Sequence, residues 1–256
     1  MKRALLVVAA ALLLVGCAGD DNASEETTDT VTLPALGNAR VYWLLDGKVW
    51  PALREVQASG DAATDVMSDL IAGPSPQEQE ELGFRTAIPA GATPEVTVHS
   101  GVATVEFDGA TELSPEALAQ IVYTETALPG VNSVMINAQG VTAASYTRAD
   151  FEEQTPSVLV ESPLAFEQVT SPLRAEGTAN TFEVNFHYEL TDTDGLIVDE
   201  NFVTATSGTG TRGTFEFTTK PYAVPFDGIG SLIVFERSAE DGSRMNIVEI
   251  PLRMSR

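Results

Sequence analysis

The sequence predicts two folded domains of different class: an α+β domain with a small mixed sheet and two helices, then an all-β sandwich of immunoglobulin-like type. Three observations carry this prediction. Strand-like and helix-like periods alternate between residues 38 and 144, a polar stretch with Pro156 follows at 145–157, and from Val158 onward only short strand-like runs between Gly-rich turns remain. A chain of 256 residues is also too long for one small core and suits two domains of about 100 residues each.

In the first domain, Val41-Tyr42-Trp43-Leu44-Leu45 reads as a buried strand, and Asp46-Gly47 as a tight turn into a second strand over 48–56. Ala63, Val66, Met67, Leu70 and Ile71 recur at helical spacing, and Gly73-Pro74 ends that helix. The segment from Pro89 to Pro94 is turn-rich. Residues 95–100 and 102–107 alternate as a hairpin about Gly101, with Val96, Val98, Val105 and Phe107 directed to the core. Ser114-Pro115-Glu116 opens a second helix: a capping hydroxyl, a proline in the first turn, and an acid at the positive end of the dipole. That helix runs through Leu118, Ile121 and Val122 and stops near Pro129-Gly130. Ser133-Val134-Met135-Ile136-Asn137 is the last strand, with Gly140 in the turn after it.

Residues 145–157 are polar, charged and without period, and are expected to be the interdomain linker. Strand-like runs then follow at 158–161, 181–190, 197–206, 213–219, 231–236 and 246–252, with Asp194-Gly195, Gly208-Thr209-Gly210, Asp227-Gly228 and Asp241-Gly242 among the turns. Tyr42, Trp43, Trp50, Phe182, Phe186, Phe202, Phe215, Phe217 and Phe235 are core candidates, and Trp50-Pro51 is the best candidate for a surface anchor. Two Ser-Pro-Leu copies, at 162–164 and 171–173, are read as extended entries to edge strands, because proline blocks edge pairing, with a peptide-docking role as the alternative.

Ahead of these domains, Lys2 and Arg3 precede an apolar run that ends in Leu14-Val15-Gly16-Cys17. This is a charged start, a short apolar stretch and small residues at a cleavage point. It resembles the lipobox of bacterial lipoproteins, which implies a signal peptide over 1–16 and lipidation of Cys17, the single cysteine of the chain. The expected location is the extracytoplasmic face of the cell membrane, reached through that lipid. Residues 18–37 are small, polar and acidic, and are expected to form a disordered tether. No later run approaches the ~18 apolar residues of a membrane-spanning helix. With 37 acidic against 14 basic residues and a net charge of −23, the chain is not built for nucleic acid, nor for a polybasic grip on anionic lipid.

The folded part resembles the GerMN domain of bacterial sporulation and spore-germination lipoproteins over residues 38–144. The residues that carry this are Val41-Tyr42-Trp43-Leu44, Leu70-Ile71-Ala72-Gly73-Pro74, Thr86-Ala87-Ile88-Pro89-Ala90-Gly91-Ala92, Val102-Ala103-Thr104-Val105-Glu106-Phe107 and Gln120-Ile121-Val122-Tyr123-Thr124. Residues 158–256 are similar to the immunoglobulin-like domain that often follows GerMN. That likeness rests on Glu161-Ser162-Pro163-Leu164, Ser171-Pro172-Leu173, Gly177-Thr178-Ala179, Thr181-Phe182-Glu183, Phe235-Glu236-Arg237-Ser238 and Asp241-Gly242. The resemblance implies a non-enzymatic cell-envelope protein that binds envelope partners or self-assembles through its α+β domain. It supplies no catalytic residues.

The chemistry in the residues agrees with that implication. Nucleophilic catalysis needs a base beside a Ser or Cys, yet His99 and His187 are the only histidines and fall in different domains. Zinc lacks ligands for the same reason. Asp192-Thr193-Asp194-Gly195 has the spacing that opens a calcium loop, with Asp199 and Glu200 nearby, but its third acidic position and closing Glu are missing, so a hairpin turn is favoured, with calcium binding at Asp192 and Asp194 as the alternative left open. No metal, cofactor or catalytic residue is expected, and no binding residue is named. The rival readings are a solute- or glycan-binding lipoprotein, which would need a deep pocket lined by Trp43 or Trp50, and an envelope hydrolase using two carboxylates.

Overall fold

A computed structural model describes residues 37–55, 61–107, 112–141 and 144–256. The readings made for residues 1–36, Cys17 and its lipid included, lie outside the described residues.

The first domain begins with an antiparallel ribbon, β1 (Ala39–Leu45) and β2 (Lys48–Arg54), joined at Asp46-Gly47, where both φ angles are positive. The helix α1 (Ala62–Ala72) starts where the Asp61 carboxylate accepts from the Thr64 amide at 3.2 Å, and ends at Gly73. A short helix not foreseen in the sequence follows, α2 (Pro76–Glu81). Its signal was present: Ser75 and Glu78 form a reciprocal capping box around Pro76. The hairpin of β3 (Glu95–His99) and β4 (Val102–Glu106) turns at Ser100-Gly101, as the alternation predicts. Then come α3 (Pro115–Glu125), capped by Ser114, β5 (Ser133–Asn137) and β6 (Ser145–Tyr146). Strands β3 to β6 make one mixed sheet in chain order, with β4 and β5 parallel. The core between sheet, ribbon and helices contains Trp43, Met67, Leu70, Ile121 and Ile136, all nearly or wholly buried.

The 145–157 segment, expected as a linker without structure, is built into this domain. Its strand β6 pairs with β5, and a 3-10 turn over Arg148–Gln154 buries Phe151 in the same core. The aromatic residues Tyr146 and Phe151 and the Thr147–Asp150 capping pair are the local reasons.

The second domain is a sandwich. Its strands are β7 (Val158–Ser162), β8 (Gln168–Val169), β9 (Arg174–Ala179), β10 (Asn185–Thr191), β11 (Ile197–Thr204), β12 (Gly213–Thr218), β13 (Gly228–Arg237) and β14 (Arg244–Met254). One sheet runs β12-β9-β7 and the other β11-β10-β13-β14-β8, over a core of Phe186, Tyr188, Leu190, Leu232, Val234 and Leu252. Strand β9 was missed from sequence, since Arg174-Ala175-Glu176-Gly177 lacks the β-branched and aromatic residues of a strand signal. Both Ser-Pro bonds of the two Ser-Pro-Leu copies are cis. The first copy lies at the exit of edge strand β7 and not at its entry, and the second leads into β9, the central strand of its sheet.

Two core assignments and the surface-anchor reading change. Phe202 is 61% exposed, because it shares the outer face of β11 with Glu200 and Thr204 while Val203 points inward. Phe182 is 63% exposed in a 3-10 turn before β10. Trp50 is no exposed anchor: it is 7% exposed.

Gly177 lies in β9 where a Cβ would meet the Leu159 carbonyl oxygen at 2.1 Å and the Phe215 ring at 2.9 Å. Gly177→Ala is therefore expected to lower stability by about 2 kcal/mol through overpacking, measured by urea unfolding. Glu125 is fully buried in the last turn of α3, and neither of its oxygens has a hydrogen-bond partner among the described residues. Burial first, and the charge of Asp61 second, push its carboxyl well above 4.5. A raised folded-state value means its favourable contribution is present below 4.5 and is lost as pH rises toward the folded-state value. Glu125→Met is expected to gain about 1–3 kcal/mol at neutral pH, with the gain shrinking as pH falls to 4.5; melting curves at several pH values check this.

Candidate functional site

Strand β7 brings the two domains together. Val158 and Val160 face the sandwich core, and Leu159 between them is wholly buried in the core of the first domain. The register of β7 against β9 then slips between Val160 and Ser162, leaving Glu161 opposite no residue. Such a bulge re-aims a side chain. The Glu161 carboxylate reaches across to the first domain, where Arg148 Nη1 donates to it at 2.8 Å and the Tyr42 hydroxyl donates to the same oxygen.

Arg148 is held on every side. Its Nε donates to Thr126 Oγ1 at 2.8 Å and its Nη2 to the Tyr123 carbonyl at 3.1 Å, while the guanidinium lies over the rings of Tyr42 and Tyr123 at 5.2 and 4.7 Å. Burial works to lower the Arg148 pKa, but Tyr42 and Glu161 outweigh it and the value rises. Burial drives the Tyr42 hydroxyl upward, so it stays a proton donor. Behind it, Gln120 donates to the Tyr42 carbonyl at 2.9 Å and accepts from the Ala87 amide at 2.8 Å. A second link joins Glu152 of the 3-10 turn to Arg212, through two bonds of 2.9 Å.

Beside this junction lies a cleft of about 450 Å³ with walls from both domains. Trp50, Pro51 and Phe84 line it from the first domain; Pro163, Phe166 and Val248 line it from the second. Trp43, the other tryptophan considered for a pocket, is buried in the first core with the Arg54 guanidinium 5.1 Å above its ring. The cleft cannot be read from sequence, because its walls are about 200 positions apart at the extremes, an order of magnitude at which spacing carries no signal.

The remaining sequence candidates stay apart. His99 ends β3 in the first domain. His187 lies on the outer face of the sandwich, stacked 5.6 Å from Phe235, and burial and then the Arg237 charge lower its pKa. Asp192 forms a turn: its Oδ1 accepts from the amides of Asp194 and Leu196, each at 2.9 Å. Asp199 accepts from the Tyr188 hydroxyl at 2.6 Å. Among the described residues no group of three or more His, Cys, Asp or Glu is placed to hold a metal ion. No helix among the described residues is long and apolar enough to cross a membrane.

A family model described as sporulation and spore germination, Germane, matches residues 40–144, and one described as the immunoglobulin-like domain of bacterial spore germination, Gmad2, matches residues 157–243. The two matches fall one in each of the two domains. Among solved structures, the first GerMN domain of the sporulation protein GerM from Bacillus subtilis is 19% identical, covering 43% of this chain and 94% of that one, with a TM-score of 0.33. The tandem GerMN domains of the same protein are 15% identical over 72% of this chain, which spans 61% of theirs, with a TM-score of 0.36. No curated protein shows significant similarity to the chain. The cleft thus lies between the segment that matches the Germane model and the one that matches the Gmad2 model, and neither model's description is that of an enzyme.

Truncating Arg148 would leave the Glu161 carboxylate without its cation at the junction of the two domains. Arg148→Ala is expected to cost about 3 kcal/mol, and the double variant with Glu161→Gln less than the sum of the single changes; a double-mutant cycle in urea measures both.

Proposed function

We propose that this chain is a non-catalytic cell-envelope lipoprotein whose joined Germane and Gmad2 domains bind or assemble with protein partners. The observation that carries the reading is the apolar cleft with walls from both spore-germination domains, since a recess shared by two domains is a common place for a ligand or partner. The Leu14-Val15-Gly16-Cys17 sequence supports lipid attachment at Cys17, and with it a location on the extracytoplasmic face of the cell membrane. A net charge of −23 disfavours nucleic acid as a partner. A solute-binding role is the second reading, favoured by Trp50 in the wall of the same cleft.

Expressed in a bacterium that processes lipoproteins, the chain is expected to incorporate labelled fatty acid and fractionate with membranes, and Cys17→Ala to do neither. Cross-linking in those membranes is expected to trap specific protein adducts, and sedimentation velocity over a hundredfold concentration range separates self-assembly from partner binding. A reproducible hydrolytic activity removed by one carboxylate substitution would overturn the non-catalytic reading.

A further inference from the structure

The cleft borders the edge of a strand. Four consecutive residues of β14, Val248, Glu249, Ile250 and Pro251, line it. Successive side chains of a strand point to opposite faces, so four in a row can line one recess only if it runs along the strand's edge. That edge is open there. On its outer side β14 pairs only with β8, at Arg253 and Met254, while the Phe166 amide donates to the Pro251 carbonyl at 2.7 Å and the Arg253 amide to the Glu167 carbonyl at 3.0 Å. By alternation the N–H and C=O of Glu249 point the same way, and among the described residues no strand pairs with them. Asn246, with φ +50°, bulges the strand on one side, and Pro251 lacks an N–H on the other. The open segment is thus short and centred on Glu249.

The side chains around it state what would fit. The recess beside the edge is apolar, with Trp50, Phe84 and Leu164 in its walls. Among the described residues, the charged side chains in its lining are Glu81 and Glu249, both acidic, on a chain of net charge −23. Self-association through this edge would bring like charges together.

We infer that the cleft receives an extended segment of a basic protein partner. The segment adds to β14 through a pair of main-chain hydrogen bonds at Glu249, places an apolar side chain against Trp50, and sets Lys or Arg near Glu81 and Glu249. This inference rests on the partner-binding reading above and names the partner's chemistry.

The test uses the full chain and three synthetic peptides: a blocked ten-residue peptide alternating Val and Lys, its Val–Glu counterpart, and the Val–Lys peptide with alternate amides N-methylated. The Val–Lys peptide is expected to bind by titration calorimetry and to shift tryptophan emission. Its affinity is expected to fall at least tenfold on N-methylation and at least tenfold in the Glu81→Gln/Glu249→Gln double variant. Equal binding of the Val–Glu peptide overturns the charge argument. Binding that is unchanged in the double variant, or by N-methylation, reflects general attraction to an acidic surface and overturns the site. Absence of binding by all three also overturns it, and leaves the broader partner-binding reading to stand or fall on membrane cross-linking.

Discussion

The architecture depends on one strand serving two cores. In β7, Val158 and Val160 point into the sandwich while Leu159 points into the α+β domain, so a strand's period of two ties the domains together without a disulfide. Burying Leu159 alone gains about 2 kcal/mol, but the larger consequence is geometric. Once Leu159 is seated, the bulge at Glu161 has a fixed direction, and Gly177 must stay small so that β9 can approach the Leu159 carbonyl. The cleft lies where these two domains meet and leave a recess beside β7.

Arg148 gives that junction its polar specificity. A cation half-hidden between two tyrosine rings would be costly without a carboxylate, and Glu161 arrives from the other domain to meet it. The Tyr42 hydroxyl, the Tyr123 carbonyl and the Thr126 hydroxyl take up the remaining bonds, so the network leaves few alternatives for how the domains sit. On the outer face of the sandwich a comparable arrangement covers Phe235: Arg244 lies 4.5 Å over the ring and pairs with Glu189, Arg237 lies on it as well, and His187 stacks beside it. Phe235 is thus buried without belonging to either apolar core.

Much of the fold was legible because the local signals agree with the tertiary result. The Ser114-Pro115 cap, the Gly73 stop and the Ser100-Gly101 turn lie where the periodicities end. The failures have physical causes. Strand β9 is small-residued where Gly177 faces the Leu159 carbonyl and the Phe215 ring, so its sequence carries little strand signature. Residues 145–157 look like linker because Arg148 and Glu152 are charged, yet those charges pair with Glu161 and Arg212 of the second domain. Phe202 and Phe182 read as core because alternation fixes two faces of a strand without saying which is covered.

The sequence by itself determined the class and order of the two domains, the caps and turns, and the absence of a histidine or cysteine set for catalysis, since these depend on composition and on contacts within a few residues. Only the tertiary structure decided the rest. It turned the Asp192 carboxylate into a turn acceptor, hid Trp50 in the wall of a cleft, and set the Glu249 edge of β14 beside it. Those outcomes follow from which faces meet when β7 is shared, and a face-to-face choice between distant segments leaves no trace in local spacing.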